Sequence, residues 1–146
     1  MINLRYANKK DVAILLEWVN NFDSISTKLV NESAITLYEH SNWFSERLKD
    51  ENTHIWIIEK AKKYPIGQIR FQKKISNYFD VDIYVVEEER KKGVASKTLN
   101  KAMRISESLP LRALVKKNNL RSYNFFSKNG FLLKSEDEFK WILIKE

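Results

Sequence analysis

Residues 84–99 read YVVEEERKKGVASKTL: the end of an apolar strand, a charged turn holding one glycine, and the start of a helix. Asp80–Val86 alternates, with Val81, Ile83 and Val85 on one side and Asp80, Asp82 and Tyr84 on the other, the two-residue period of a strand. Beyond the turn, Val94, Leu99, Ala102 and Met103 recur at helical spacing within Val94–Leu109, which stops before Pro110. The chain has only three glycines, Gly67, Gly93 and Gly130, where a usage of about 7% would supply about ten. A glycine kept between strand and helix therefore points to a backbone requirement. Such a turn aims several N–H groups at one spot, and the helix N-terminus adds its dipole. Gly93 and Ala95 leave room for a phosphate, and Arg90, Lys91 and Lys92 favour an anion. The physics predicts a pyrophosphate site without choosing the cofactor. The same cations also read as a solvated turn balancing Glu87–Glu89.

Working outward, Ile2–Tyr6 reads as a first strand. Asp11 is expected to cap a helix carrying Val12, Leu15, Leu16 and Val19. Asn20–Asn31 reads as a loop or short helical turn, and Leu37–Leu48 as a second amphipathic helix. Ile55–Glu59 and Ile66–Gln72 are β-rich runs joined by KAKKYP, a basic turn with Pro65. After the central helix come a strand at Leu111–Val115, a helix at Ser122–Asn129 ending at Gly130, and a last strand at Lys140–Lys145. The order β-α-α-β-β-β-α-β-α-β is mixed α/β, read as one domain over residues 1–146.

Composition narrows the chemistry. With 146 residues, 43% hydrophobic and 12% aromatic, the chain suits a single packed core. No run is long and apolar enough for a membrane span, and the N-terminus lacks signal-peptide features, so a cytoplasmic location is expected. There is no cysteine, which excludes a thiol acyl-enzyme and thiolate metal sites. His40 and His54 are the only histidines. They make no helical metal motif and leave little room for a serine–histidine triad, so no metal is expected. The net charge of +7 favours anionic partners. The basic residues form no dense aromatic-laced block beyond KKNNLRSYNFF, which argues against nucleic acid.

Two segments carry a family resemblance. Around Arg90, Gly93 and Ala95 the sequence resembles the acetyl-CoA motif of GCN5-related (GNAT) acetyltransferases, Arg/Gln-x-x-Gly-x-Gly/Ala. NLRSYNFFSKNGF at 119–131 resembles the family's later motif through Asn119, Ser122, Lys128, Gly130 and Phe131. The resemblance implies a mixed, mostly antiparallel sheet of six to seven strands flanked by about four helices, with the fourth and fifth strands splayed apart. It implies acetyl-CoA in that splay, its pantetheine along Ile83, Tyr84, Val85 and Val86. The pyrophosphate would rest on Arg90, Lys91, Lys92, Gly93, Val94, Ala95 and Ser96, with Asn119, Ser122 and Phe126 nearby.

LEWVNN, EHSNWF and PIGQIRF further resemble the amino-sugar N-acetyltransferases of nonulosonic-acid pathways, which acetylate the 4-amino group of a UDP-linked 4-amino-4,6-dideoxy sugar. On that likeness Trp18, Asn20, His40, Trp43, Phe44, Gln68 and Arg70 bind substrate. Relatives acting on aminoglycosides or ribosomal proteins share part of the pattern, so a peptide or aminoglycoside amine is an alternative, as is a non-catalytic coenzyme A module. A homodimer is also compatible. Each of these residues has a plainer reading: Trp18 and Trp43 as core, His40 as helix packing, Gln68 and Arg70 as the polar side of a strand.

The implied reaction is direct attack of a neutral amine on the thioester, aided by positioning and a backbone N–H near Val85. Asp82 and Glu59 are the candidate bases, each also readable as a structural carboxylate. Many relatives place an acidic tyrosine seven residues after the motif asparagine. Here that position is Phe126, and Tyr123 one turn earlier is the substitute, unless the thiolate leaves unaided.

Overall fold

The computed structural model describes residues 1–21, 35–74 and 76–146. Seven strands form one sheet in the order β1-β2-β3-β4-β5-β7-β6. They are β1 (Asn3–Tyr6), β2 (Thr53–Lys60), β3 (Tyr64–Lys73), β4 (Phe79–Val85), β5 (Leu111–Lys116), β6 (Leu132–Glu136) and β7 (Lys140–Lys145). Four described helices accompany them: α1 (Val12–Val19), α2 (Leu37–Lys49), α3 (Val94–Ile105) and α4 (Leu120–Lys128). All strand pairs are antiparallel except β4 with β5. This is the GNAT fold implied by the sequence.

The strand registers sort side chains onto two faces. Ile57, Gln68 and Tyr84 stand in line, as do Ile55, Arg70 and Asp82. Their apolar members pack with Leu15, Trp18 and Phe44 beneath α1 and α2. On the other face Trp56 and Ile69 join Phe71, Leu99, Ala102, Phe126 and Phe131 in the largest core cluster, against α3 and α4.

Several boundaries depart from the sequence reading. Asp11 makes no side-chain cap to α1. Asn8 caps a short 3-10 turn instead, and Asp11 bonds back to the Asn8 amide at 2.8 Å, the reciprocal half of a capping box. The helix expected to reach Leu109 ends at Ile105, because Glu107 and Ser108 take left-handed φ values of 58° and 59°. Strand β6 was not among the expected elements. All five of its residues are exposed, so no buried alternation betrays it. Pro65 lies inside β3, opposite a bulge at Ile58/Glu59, rather than in a turn before it. The loop expected at Asn20–Asn31 lies outside the described residues from residue 22 onward.

Candidate functional site

The break in the sheet comes first. Strands β4 and β5 pair only through Phe79↔Leu111 and Asp80↔Arg112. The register with β3 runs unbroken from Phe79 to Val85, so the direction of every β4 amide follows from two bonds. Phe79 N–H reaches Pro110 O on the β5 side at 2.8 Å, whereas Val86 N–H reaches Ile66 O at 2.9 Å on the β3 side. Successive residues alternate, so the amides of Ile83 and Val85 point toward β5, past the last bridge, where no strand pairs with them. An unpaired strand edge inside a sheet can take an extended amide ligand, as pantetheine is.

The turn beyond β4 is built for an anion. Gly93 takes φ 76° and forms the N-cap of α3. A Cβ there would meet nothing within 4 Å, so the space before it is open. The first intrahelical bond is Lys97 N–H to Gly93 O at 3.1 Å. The amides of Val94, Ala95 and Ser96 thus lie in the first turn, which has no partners of its own. Lys91 is also left-handed at φ 63°, and Lys91 and Lys92 are exposed. Glu89 anchors the turn: Lys60 and Lys92 pair with it, and the hydrogen bond from Lys60 holds its carboxyl below the ordinary range. The basic-turn reading is therefore half right, since Lys92 does lie 3.6 Å from Glu89.

Arg90 behaves differently from its neighbours. Its Nε donates to Val85 O at 2.7 Å, and its guanidinium stands 5.3 Å from the Tyr84 ring. Asn119 caps α4, accepting from Ser122 N–H at 3.2 Å and donating to Ser122 Oγ at 3.0 Å. Phe126 is 5% exposed and packs on Phe125 and Phe131, a core residue rather than a lining one. Tyr123 is half-buried, its ring 4.6 Å from that of Trp141.

The face under α1 and α2 gathers most of the residues expected to bind substrate. Trp18 lies 5.8 Å from Tyr84. Gln68 donates to Asp82 at 2.9 Å, and Arg70 lies 3.8 Å from the same carboxylate, with its guanidinium 4.9 Å above Trp43. His40 stacks between Trp43 and Phe44, both at 6.0 Å. Burial lowers its pKa, although its ring bonds the Val12 carbonyl, and Nε2 is buried without a partner among the described residues. Phe44 is fully packed. Asn20 serves as a tether: its amide donates to Ile35 O at 2.8 Å and accepts from Ile35 N–H at 2.7 Å, tying the end of α1 to the approach to α2.

Glu59 does not join this group. Arg5 Nε donates to it at 2.9 Å while the same guanidinium makes two 2.9 Å bonds to Asp11. Glu59 and Asp11 are 5% and 6% exposed. This buried triad was missed from the sequence, where nothing marks Arg5 as more than a strand residue. Among the described residues no group of acidic or histidine side chains could hold a metal, and no helix is long and apolar enough to cross a membrane.

An open strand edge leading to the unpaired first turn of a helix is an arrangement able to hold an acyl-CoA. The chain belongs to the acetyltransferase (GNAT) family, whose model matches residues 15–131. No curated protein matches it in sequence. In fold it is similar to a spermidine N-acetyltransferase from Vibrio cholerae in complex with CoA and spermine. The TM-score is 0.82 at 18% identity, over 98% of this chain and 92% of that one. An aminoglycoside acetyltransferase in complex with coenzyme A gives 0.78 at 16%, over 99% and 94%. A GNAT acetyltransferase from Streptococcus pneumoniae gives 0.76 at 17%, over 99% and 98%. The protein is an N-acetyltransferase that uses acetyl-CoA.

Proposed function

We propose that the acceptor is a nucleotide-linked amino sugar, acetylated at the 4-amino group of a UDP-linked 4-amino-4,6-dideoxy hexose. The observation that carries this reading is the cluster of Arg70 over Trp43 beside Gln68 and Asp82. Trp43 and Tyr84 offer apolar surface for a sugar ring and its methyl group, with Trp18, buried as core, packed behind Tyr84. Gln68 and Arg70 offer donors to hydroxyl or phosphate oxygens. The carboxylates on this side of β4 each have an arginine against them, Asp80 with Arg112 at 2.6 Å and Asp82 with Arg70. A polycationic acceptor calls for unopposed carboxylates, so this surface fits it less well.

In the reaction that follows from this placement, the amine nitrogen attacks the thioester carbonyl, whose oxygen accepts a hydrogen bond from an inward β4 amide such as Val85 N–H. Asp82, directly or through water, takes the amine proton. Tyr123 donates a proton to the departing sulfur. Phe126 cannot, and Glu59 is already bonded to the Arg5 guanidinium that also holds Asp11, rather than to Gln68 or Arg70.

The second reading is a polyamine or aminoglycoside amine, favoured by the folds that resemble this one. A thiol-release assay with acetyl-CoA against UDP-4-amino-4,6-dideoxy sugars, spermidine, aminoglycosides and a basic peptide separates the two. Selective turnover of the UDP-sugar is expected. Selective turnover of spermidine or an aminoglycoside would replace the proposal with the second reading, and no turnover of any amine would favour a coenzyme A-binding module.

A further inference from the structure

The turn after β4 holds three consecutive cations, and all three would ordinarily be assigned to phosphate. Their side chains part company. Those of Lys91 and Lys92 are exposed, whereas Arg90 is half-buried and folds back along the chain. Its Nε donates to Val85 O at 2.7 Å, and the rest of the guanidinium lies 5.3 Å from the Tyr84 ring. Val85 is one of the β4 residues whose peptide groups point to the β5 side beyond the last bridge, as the alternation from Phe79 and Val86 requires. Tyr84 points to the opposite face and packs against Trp18. Arg90 therefore grips the end of β4 from its edge and from one face at once.

From this geometry we infer that Arg90 is a positioning residue for the thioester-bearing arm of acetyl-CoA, not a phosphate ligand. The phosphates are met by the amides of the turn, by the first turn of α3 and by Lys91. Arg90 instead fixes the Val85 carbonyl, the last β4 carbonyl on the β5 side, which belongs to the same residue as the inward Val85 N–H. The strand end stays tied to β3 by the Val86 N–H to Ile66 O bond at 2.9 Å, but on the β5 side it has no strand partner, and there Arg90 bonds Val85 O. A hydrogen bond from a charged donor is strong enough to hold it. The inference rests on acetyl-CoA as donor and is independent of which amine accepts.

Truncating the donor separates the two roles. S-acetyl-pantetheine has the thioester arm but neither pyrophosphate nor nucleotide. Binding of acetyl-CoA and of S-acetyl-pantetheine to the wild type, Arg90→Ala, Arg90→Gln and Lys91→Ala is measured by calorimetry, with circular dichroism melts to confirm folding. Arg90→Ala is expected to weaken both ligands by the same factor, about tenfold for a lost hydrogen bond from a charged group. Arg90→Gln, which keeps an amide donor without the charge, is expected to restore most of the affinity for both. Lys91→Ala is expected to weaken acetyl-CoA alone. If Arg90→Ala weakens acetyl-CoA but leaves S-acetyl-pantetheine untouched, Arg90 is a phosphate ligand and the inference fails. It fails equally if Arg90→Gln behaves like Arg90→Ala, or if neither variant changes either ligand.

Discussion

Gly67 runs directly against the carbonyl of Tyr84: a Cβ on Gly67 would stand 2.1 Å from that oxygen. The contact is backbone against backbone, so no side chain can yield. Gly67→Ala must push β4 away from β3 just where β4 presents Val85 to the open edge. The expected cost is on the order of 3 kcal/mol, at the upper end of overpacking in a filled core. Urea denaturation measures it, and acetyl-CoA affinity should fall with it. A variant with wild-type stability would show that the strands are not in fixed apposition here.

Arg5 is the only cation bonded to the buried carboxylates Asp11 and Glu59 among the described residues. Arg5→Met should destabilise by about 3 kcal/mol, the low end for breaking a buried pair, because Arg5 itself is a third exposed. Burial alone would raise the Asp11 carboxyl, but hydrogen bonds from Arg5 and the Asn8 amide outweigh it and leave the pKa below 3.8. A depressed carboxyl stabilises the fold above the unfolded value and loses that contribution as pH falls through the folded one. The wild type should therefore lose stability below about pH 4, while Arg5→Met, already lacking the bond, should show a shallower decline in Tm.

His40 gives a second pH dependence of the same sign. Its folded pKa lies below 6.5 because burial disfavours the cation. The unfolded chain takes up the proton first, so acidification below about pH 6.5 favours unfolding. Thermal melts at pH 7.5 and pH 5.5 should differ more for the wild type than for His40→Phe, which keeps the stacking on Trp43 and Phe44 without the titrating ring. Equal shifts would assign the effect elsewhere.

Arg70→Ala should raise KM for the acceptor at least tenfold and leave acetyl-CoA binding unchanged, since Arg70 faces Asp82 and Trp43 and makes no contact with the turn at Gly93. Initial-rate kinetics on the acceptor found by the thiol-release panel provide the check. A change confined to kcat would instead make Arg70 a support for Asp82.

Tyr123→Phe should lower kcat about a hundredfold if the phenol protonates the leaving sulfur, with acetyl-CoA affinity intact because the ring still packs on Trp141. An unchanged kcat would mean that the thiolate departs without an acid.

Much of this is legible in the sequence. The strand–turn–helix around Gly93 was readable because a left-handed N-cap needs glycine, and because Val81, Ile83 and Val85 alternate cleanly. The gathering of Trp18, His40, Trp43, Gln68 and Arg70 followed from a family likeness, and their alternation on β3 and spacing on α2 are compatible with it. Three things escaped. Strand β6 escaped because an edge strand exposed on both sides has no pattern to read. The Arg5 triad escaped because it joins residues 54 apart in sequence. The role of Asn20 escaped because an asparagine after a helix reads equally well as ligand or tether, and only its paired bonds to Ile35 distinguish the two.

The short contact between β4 and β5 has a mechanical meaning as well. Two residue pairs button together a ribbon of four strands and a ribbon of three. A coenzyme arm lying along the exposed amides of Ile83 and Val85 would act as an eighth, non-peptide strand, bracing the two ribbons beyond the reach of those buttons. Donor binding should then slow amide exchange on both ribbons, and the enzyme would be stiffest while it holds an acetyl group to give.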